Sequence, residues 1–424
     1  MICNPFDILI DGNMKHDRCI GWTGCLIMMF FIATTTVRAQ VEDKVCKTDY
    51  NINPECVGGL SVELDNISFF KDNEYAGTVM KGYSLPGMWL EPKVVYYPLK
   101  NIKLELGAHA LIYSGAYKYP NYAYHDIATW KGNQYQRGTH ILPYFRAQLA
   151  LSHVNLVLGN IYGGSNHGLI APLYSPELNL TADPEAGLQF LYDSRCLHLD
   201  AWVNWMSYIF EEDTHQESFV VGLSSLIKYN DPNARFHYYT PIQMTIQHRG
   251  GEQDTIYTNS VQTLMNGSVG AGITWNVNRS VLKRVNLEVD AVAYYQQAGH
   301  LWPFDKGVGL YAAAYTDLKD IRIKGGYFMS KDFISLLGIP YFGSVSTKEE
   351  GAYYDDPQTL FFSVEYARSF GKHYALGAKA DVYQYLPGTM TKSNGEMINP
   401  GSSTSFSFGV YLRVNPSFLI KKFK

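Results

Sequence analysis

Asn266-Gly267-Ser268-Val269-Gly270-Ala271-Gly272-Ile273-Thr274-Trp275-Asn276-Val277 alternates residue by residue: the odd positions are apolar or glycine, and the even ones are Asn, Ser, Gly, Gly, Thr and Asn. A similar period returns near the end of the chain, in Ser405-Phe406-Ser407-Phe408-Gly409-Val410-Tyr411-Leu412-Arg413-Val414. Successive side chains of a β-strand point to opposite faces, so each stretch has one apolar face and one polar face. In a water-soluble fold the apolar face needs a second layer, and the chain offers no amphipathic helices to supply it. A closed barrel with lipid outside and water inside satisfies the pattern with no second layer. The expected fold is all-β, a transmembrane up-and-down antiparallel β-barrel.

Composition agrees. Charged residues make up 17% of the 424 residues and aromatic residues 14%, with 33 Tyr. Mean hydropathy is −0.15, too polar for a bundle of transmembrane helices. Abundant Tyr suits aromatic girdles at two membrane interfaces. The formal net charge is −4, and no run of Lys and Arg is long enough to track phosphates, so nucleic acid is not expected as a partner.

One segment, 20–37, is apolar enough to span a bilayer as a helix. It follows Lys15 and Arg18 and ends in the small-residue pattern Val37-Arg38-Ala39. It reads as a secretory signal cut before Gln40, with Met1 to Asn13 an upstream extension. Three parts are expected: 1–39, extension plus signal; 40–56, a short periplasmic segment; and 57–424, the barrel. Three of the six cysteines, Cys46, Cys56 and Cys196, follow the cut. Cys46 and Cys56 either bridge the segment ahead of the barrel or stay as thiols. No Cys/His spacing resembles a zinc site, and no metal or cofactor is expected.

Alternation and turn signals predict about sixteen strands. They lie near 57–68, 85–97, 102–116, 140–151, 154–163, 184–192, 196–209 and 217–228, then 235–248, 261–277, 284–297, 306–316, 320–330, 358–368, 373–385 and 402–414. The connections alternate in length. Tight turns such as Pro98 to Asn101, Ser152-His153 and Asp317 to Asp320 are interleaved with longer segments near 69–84, 117–139, 164–183, 210–216, 249–260, 298–305, 331–357 and 386–401. Short periplasmic turns and long external loops are the pattern of an outer-membrane barrel, and an even strand count with both termini periplasmic follows from it.

Charge decides which face is inside. Leu104, Leu106, Leu199, Val203, Leu287, Val289, Phe406, Phe408 and Leu412 are placed outward. Inward fall Glu105, His109, Arg146, Asp200, Glu288 and Asp290, and also Arg322, Lys324, Glu365, Lys379, Asp381 and Arg413. Reversing the faces would put these charges into lipid, at about 2–4 kcal/mol each near the midplane. Tyr residues at the strand ends, among them Tyr96, Tyr113, Tyr294 and Tyr383, fit the headgroup layers.

On these features the chain resembles the porin-like outer-membrane barrels of Gram-negative bacteria. The resemblance rests on the leader end at Val37-Arg38-Ala39, the alternating strands, the short turns, and a final strand followed by Phe418 and Phe423. The stretch from Asn155 to Tyr174 and the Ala39-Gln40 junction are similar to Bacteroidota-type members. It covers nearly the whole mature chain and is one of architecture. Such barrels usually end on an aromatic residue that assembly factors read, whereas here Phe423 is penultimate and Lys424 last. The resemblance implies location in the cell outer membrane, contact with outer-membrane lipid and lipopolysaccharide, delivery by the barrel-assembly machinery, and a possible homo-oligomer.

The third long connection, Gly163 to Glu177, is apolar for an external loop and dense in Gly and Pro. In porin-like barrels the third external loop folds into the lumen and narrows it, and little charge with path-fixing turn residues suits that course. Asn166, His167, Tyr174 and Glu177 are the expected pore-facing groups; a loop packed over the rim is the other reading. Inward acids and bases are about equal in number. With Trp202, Asn204, Gln243, Gln247 and Gln296 among them, they suit polar, near-neutral small solutes such as sugars or peptides. A porin-like channel is the leading expectation. The alternatives are a non-conducting barrel that binds or assembles surface polysaccharide, and a hydrolase at the rim. Ser165, Asn166 and His167 are adjacent, so their side chains diverge and make no nucleophile–base pair by themselves; G-x-S-x-G and H-E-x-x-H do not occur. The sequence therefore predicts no enzyme.

Overall fold

A computed structural model of the chain describes residues 41–114, 138–208, 216–251 and 261–423. The signal segment and its cut, and most of the connections 117–139, 210–216 and 249–260, lie outside the described residues.

Antiparallel pairing joins seventeen strand segments into one sheet that closes on itself. The last two segments, Ser403–Val414 and Ser417–Lys422, both pair with the first strand and are halves of one strand, so the barrel has sixteen. In chain order these are β1 Gly59–Glu74, β2 Tyr83–Leu99, β3 Ile102–Tyr113, β4 Gly138–Leu151, β5 Val154–Asn160, β6 Ala186–Asp193, β7 Leu197–Ser207 and β8 Ser218–Lys228. Then follow β9 Phe236–Arg249, β10 Gln262–Asn276, β11 Leu282–Ala298, β12 Lys306–Leu318, β13 Ile321–Lys331, β14 Gln358–Phe370, β15 Tyr374–Leu386 and β16, the interrupted pair. Each neighbours the next, and β16 closes on β1.

All sixteen expected stretches are strands. Two bounds differ. β1 runs on to Glu74, because Phe69-Phe70 continues the alternation: Phe69 points inward and is 5% exposed, Phe70 outward and 48% exposed. The first long connection therefore shrinks to 75–82. β16 continues past Val414, because Pro416, lacking an N–H, interrupts the ladder without ending it, and its carbonyl accepts from Leu64 N–H at 3.0 Å. The outward residues Leu106, Leu158, Leu287 and Phe406 are exposed and their inward neighbours Glu105, Val157, Asn286 and Ser405 are buried. Closed hydrogen bonding and an apolar outer belt make this an outer-membrane barrel.

The lumen is not the water-filled space that alternation predicts. From below, the chain before β1 enters it. Val41 and Val45 of a single helical turn pack against Ile67, Ala367 and Tyr411. Val41 N–H donates to Glu365 at 3.2 Å and Lys44 Nζ to Ala367 O at 2.7 Å. Arg413, paired with Asp65 at 2.6 Å, also donates to the carbonyls of Val45 (2.9 Å) and Lys47 (2.5 Å). The segment expected to lie below the barrel thus begins inside it. Cys46 and Cys56 are free thiols, and burial pushes the Cys46 thiol up to about 12.

From above, two external connections turn inward. Residues 332–357 bring Phe333, Ile334, Leu336, Tyr341 and Phe342 against the inward Tyr311, Phe328, Phe361, Tyr383 and Tyr385. Tyr341 stacks on Tyr383 at 4.8 Å, and Phe342 meets Phe361 edge-on at 5.3 Å. Burial on this scale, about 25 cal/mol per Å2 of apolar area, seals that part of the lumen with a packed core. The upper inward faces of β11 to β15 contribute Val292, Tyr294, Tyr311, Phe328, Phe361, Tyr383 and Tyr385 to this core. Residues 161–185 turn inward on the opposite side and line a cavity.

Candidate functional site

The cavity has a volume of about 660 Å3 and lies between β2–β8, the entering N-terminal segment and residues 161–185. Its wall is set by the β2–β3 hairpin. The turn at Leu99–Ile102 pairs Lys93 with Gly107 and Leu90 with Ala110, so Glu91 faces His109 on the inner surface. His109 Nδ1 lies 3.0 Å from Glu91 Oε1, and Trp89 packs on the imidazole with centroids 5.8 Å apart. Trp89 is itself fixed by its Nε1–H donating to Asn179 O at 3.0 Å. With Nδ1–H donating to the carboxylate, Nε2 carries the free lone pair. His109 is 4% exposed, and its Nε2 has no hydrogen-bond partner among the described residues. An imidazole held by a carboxylate on one nitrogen and free on the other is the arrangement of a general base.

Charges surround the pair. Glu105 accepts from Lys93 (3.2 Å), Arg146 (3.4 Å) and Lys103, and Lys93 lies 3.8 Å from Glu91. Arg146 packs over Tyr162 at 3.8 Å and donates to the carbonyls of Asn160 (2.6 Å) and Ile161 (3.0 Å), where the chain leaves the wall.

His167 differs at its second nitrogen. Its Nδ1 lies 2.7 Å from Asp200 and its Nε2 3.1 Å from Glu185, and its ring stacks on Trp202 at 3.5 Å. Burial alone would lower its pKa; Asp200 and Glu185 more than offset that and raise it to about 9. The Glu185 carboxyl, opposed by its own burial, is held below its usual value by His167. His167 is a charged clamp that fixes residues 161–185 and has no nitrogen left for chemistry.

The other predicted residues separate into groups. Asn166 exchanges hydrogen bonds with the backbone of Thr48 (2.7 and 3.1 Å) and so ties the connection to the N-terminal segment. Tyr174 is half-buried on the cavity. Glu177 accepts from Lys71 at 2.6 Å, from Asn73 at 3.4 Å and from Tyr83. His109, Arg146, Asn166, His167 and Tyr174 all line the same cavity, with Glu105 behind Lys93 and Arg146 and Asp200 behind His167. Glu177, Lys379 and Asp381 border a smaller space of about 70 Å3. Lys379 lies 3.4 Å from Glu365, and Arg413 holds the N-terminal segment. Glu288 accepts from Tyr239 at 2.6 Å, Asp290 is buried beside it on β11, Arg322 pairs with Asp317 at 2.6 Å, and Lys324 lies over Tyr311; these belong to the far wall.

Sequence reading missed Trp89, Glu91, Lys93 and Glu185. Counting outward from the turn at Pro98 to Asn101 does not set Glu91 opposite His109, because the pairing shifts register between Tyr96 and Leu99. Among the described residues, no group of three or more His, Cys, Asp or Glu side chains could hold a metal ion.

Comparison with known proteins bears on this site. A family model described as lipid A 3'-O-deacylase-type matches residues 52–423. The match overturns the expectation that the chain is no enzyme: that expectation rested on the lack of a contiguous motif, and a barrel assembles its side chains across strands. No curated protein matches the chain. Solved structures similar to it include OccAB3 of Acinetobacter baumannii, with 10% identity, 85% of this chain and 99% of that chain covered and a TM-score of 0.46. OprD of Pseudomonas aeruginosa has 10% identity, 88% and 97% coverage and a TM-score of 0.43. OmpT of Vibrio cholerae, folded in vitro, has 9% identity, 88% and 99% coverage and a TM-score of 0.42. OprD and OmpT are outer-membrane proteins, and none of the three bears on the site.

Proposed function

The chain belongs to the lipid A 3'-O-deacylase-type family, and from that premise we propose that it hydrolyses an acyl ester of a lipid A-type glycolipid in the outer leaflet, with His109 as general base. The observation that carries this reading is His109, which lines a cavity of about 660 Å3, is backed by Glu91 at 3.0 Å, and has a buried Nε2 with no hydrogen-bond partner among the described residues. Water bound at Nε2 gives its proton to the imidazole as its oxygen attacks the ester carbonyl. The imidazolium, stabilised by Glu91, then returns that proton to the departing sugar oxygen as the carbonyl re-forms. A free fatty acid and a sugar hydroxyl result. Lys93, within 3.8 Å of Glu91, is the candidate to balance the oxyanion.

A solute channel, the leading expectation from sequence, has less support. The N-terminal segment fills the lower lumen and residues 332–357 the upper lumen on one side. The test is the lipid A of cells that express the full chain in their outer membrane, analysed by mass spectrometry. Loss of one acyl chain with the native protein, and none with His109→Gln, is expected. Unchanged lipid A with the native protein, or equal loss with H109Q, overturns the proposal.

A further inference from the structure

The barrel wall dips on the side of the cavity. β5 has 7 residues and β6 has 8, whereas β4 has 14. A transmembrane β-strand needs about 9–11 residues to cross the hydrocarbon layer. β5 and β6 start from the periplasmic turns, so their upper ends stop short within the outer leaflet. β5 ends at the level of Phe145, and among the described residues Gly138–Tyr144 of β4, paired with β3 on one side, has no strand on the β5 side; β6 ends opposite Asn204, and β7 continues to Ser207.

The gap is finished as an edge. Asn160 Oδ1 accepts Phe145 N–H at 2.8 Å, and Asn204 Oδ1 accepts Ala186 N–H at 3.0 Å, each replacing a lost backbone partner. In an antiparallel strand alternate residues address the same neighbour. Phe145 N–H points to the β5 side, so the nitrogen of Pro143 does too, and this residue has no N–H to leave unsatisfied in lipid. Gly159 (φ +93°) and Gly187, cross-strand partners, sit at the top of this hairpin; a Cβ on either would strike the backbone carbonyl of Phe145 or Val203. The connection above turns inward and does not rise to fill the wall. Leu142, Pro143, Pro184, Trp205 and Met206 line the cavity at this level, with His109 deeper.

We propose that this gap is a lateral portal through which one acyl chain of an outer-leaflet lipid enters the barrel. The dip lies at the level of the cavity, where Leu142, Pro143, Pro184, Trp205 and Met206 give its mouth an apolar part beside the polar Asp183, Asn204 and Ser207. The proposal deepens the esterase reading and rests on it for what happens after entry.

The test uses the full-length protein in phospholipid vesicles that contain a phospholipid with a photoactivatable diazirine at one acyl-chain end. After illumination, adducts are mapped by peptide mass spectrometry. Adducts are expected on outward residues such as Leu287 and also on the inward Leu142, Trp202 and Met206. Leu142→Arg should lower the Trp202 adduct at least ten-fold and leave the Leu287 adduct unchanged. If L142R loses heat-modifiable gel mobility, Met206→Trp, which fills the mouth without charge, takes its place. Adducts confined to outward residues, or a Trp202 adduct undiminished in the folded variant, overturn the portal. The esterase reading fails separately: inward adducts without deacylation sink that reading alone, and deacylation without inward adducts sinks the portal alone.

Discussion

On the side of β10 to β15 the upper lumen is solid; on the side of β2 to β8 it holds a cavity of about 660 Å3. Both sides receive an external connection that turns inward, so the difference lies in what each connection carries. Residues 332–357 bring Phe333, Ile334, Leu336, Tyr341 and Phe342, side chains that gain by contact in any direction and therefore fill space. Residues 161–185 also bury Ile170, Leu173 and Leu178 in that core, but on the cavity side they carry Asn166, His167 and Asn179, held by directed bonds to the wall or to the N-terminal segment. A connection fixed by directed bonds lines a space without closing it.

The comparison breaks first at the two histidines. His109→Gln should lower the deacylation rate by about 10²–10⁴-fold, with unchanged heat-modifiable mobility, whereas His167→Gln should act mainly through stability. Equal rate losses in the two would erase the distinction drawn between base and clamp. On the solid side, Phe342→Ala removes a ring that is 1% exposed and touches four other aromatic rings. It should cost about 3–5 kcal/mol in reversible unfolding from lipid. A cost below about 1 kcal/mol would mean that the upper lumen is already loose.

A third test reads pH. The raised pKa of His167, about 9, means that its stabilisation is complete below the unfolded value of 6.5 and is lost as pH rises through 9. The lowered pKa of Glu185 contributes stability that is present above 4.5 and lost as pH falls through its folded value. Protease nicking within 163–177 should accelerate between pH 7 and 9.5 in the native protein and show no such step in H167Q; a step in both would assign it to another group. The smallest effect is at the edge of the gap. Asn160→Ala removes the acceptor for Phe145 N–H and should cost about 1–2 kcal/mol. Hydrogen exchange at Phe145 should quicken while that at Leu287, on a fully paired strand, stays unchanged.

The strands were legible because membrane solvation writes a period of two on every one of them, and inward charges such as Glu105 and Arg413 settle the sidedness. What fills the barrel was less legible. Tyr311, Tyr383 and Phe361 point inward in the same alternation as Lys324 and Asp381, and their partners lie in a connection that has no period of its own. The site was half visible: His109 stood out as a lumen histidine, but Glu91 gains meaning only through the hairpin register. His167 drew notice by its place in a Gly-rich connection, yet Asp200 and Glu185, which decide its protonation, come from two other segments. The expectation of no enzyme failed because a barrel gathers its side chains across strands and leaves no contiguous motif.

The N-terminal turn draws its grip from the far end of the chain. Val41 reaches Glu365 across 324 positions, Lys44 reaches Ala367 across 323, and Val45 reaches Arg413 across 368. None of these partners exists for a nascent barrel that lacks its last three strands. The first described residues therefore gain these hydrogen bonds only in a barrel that has been synthesised to its last strand and closed.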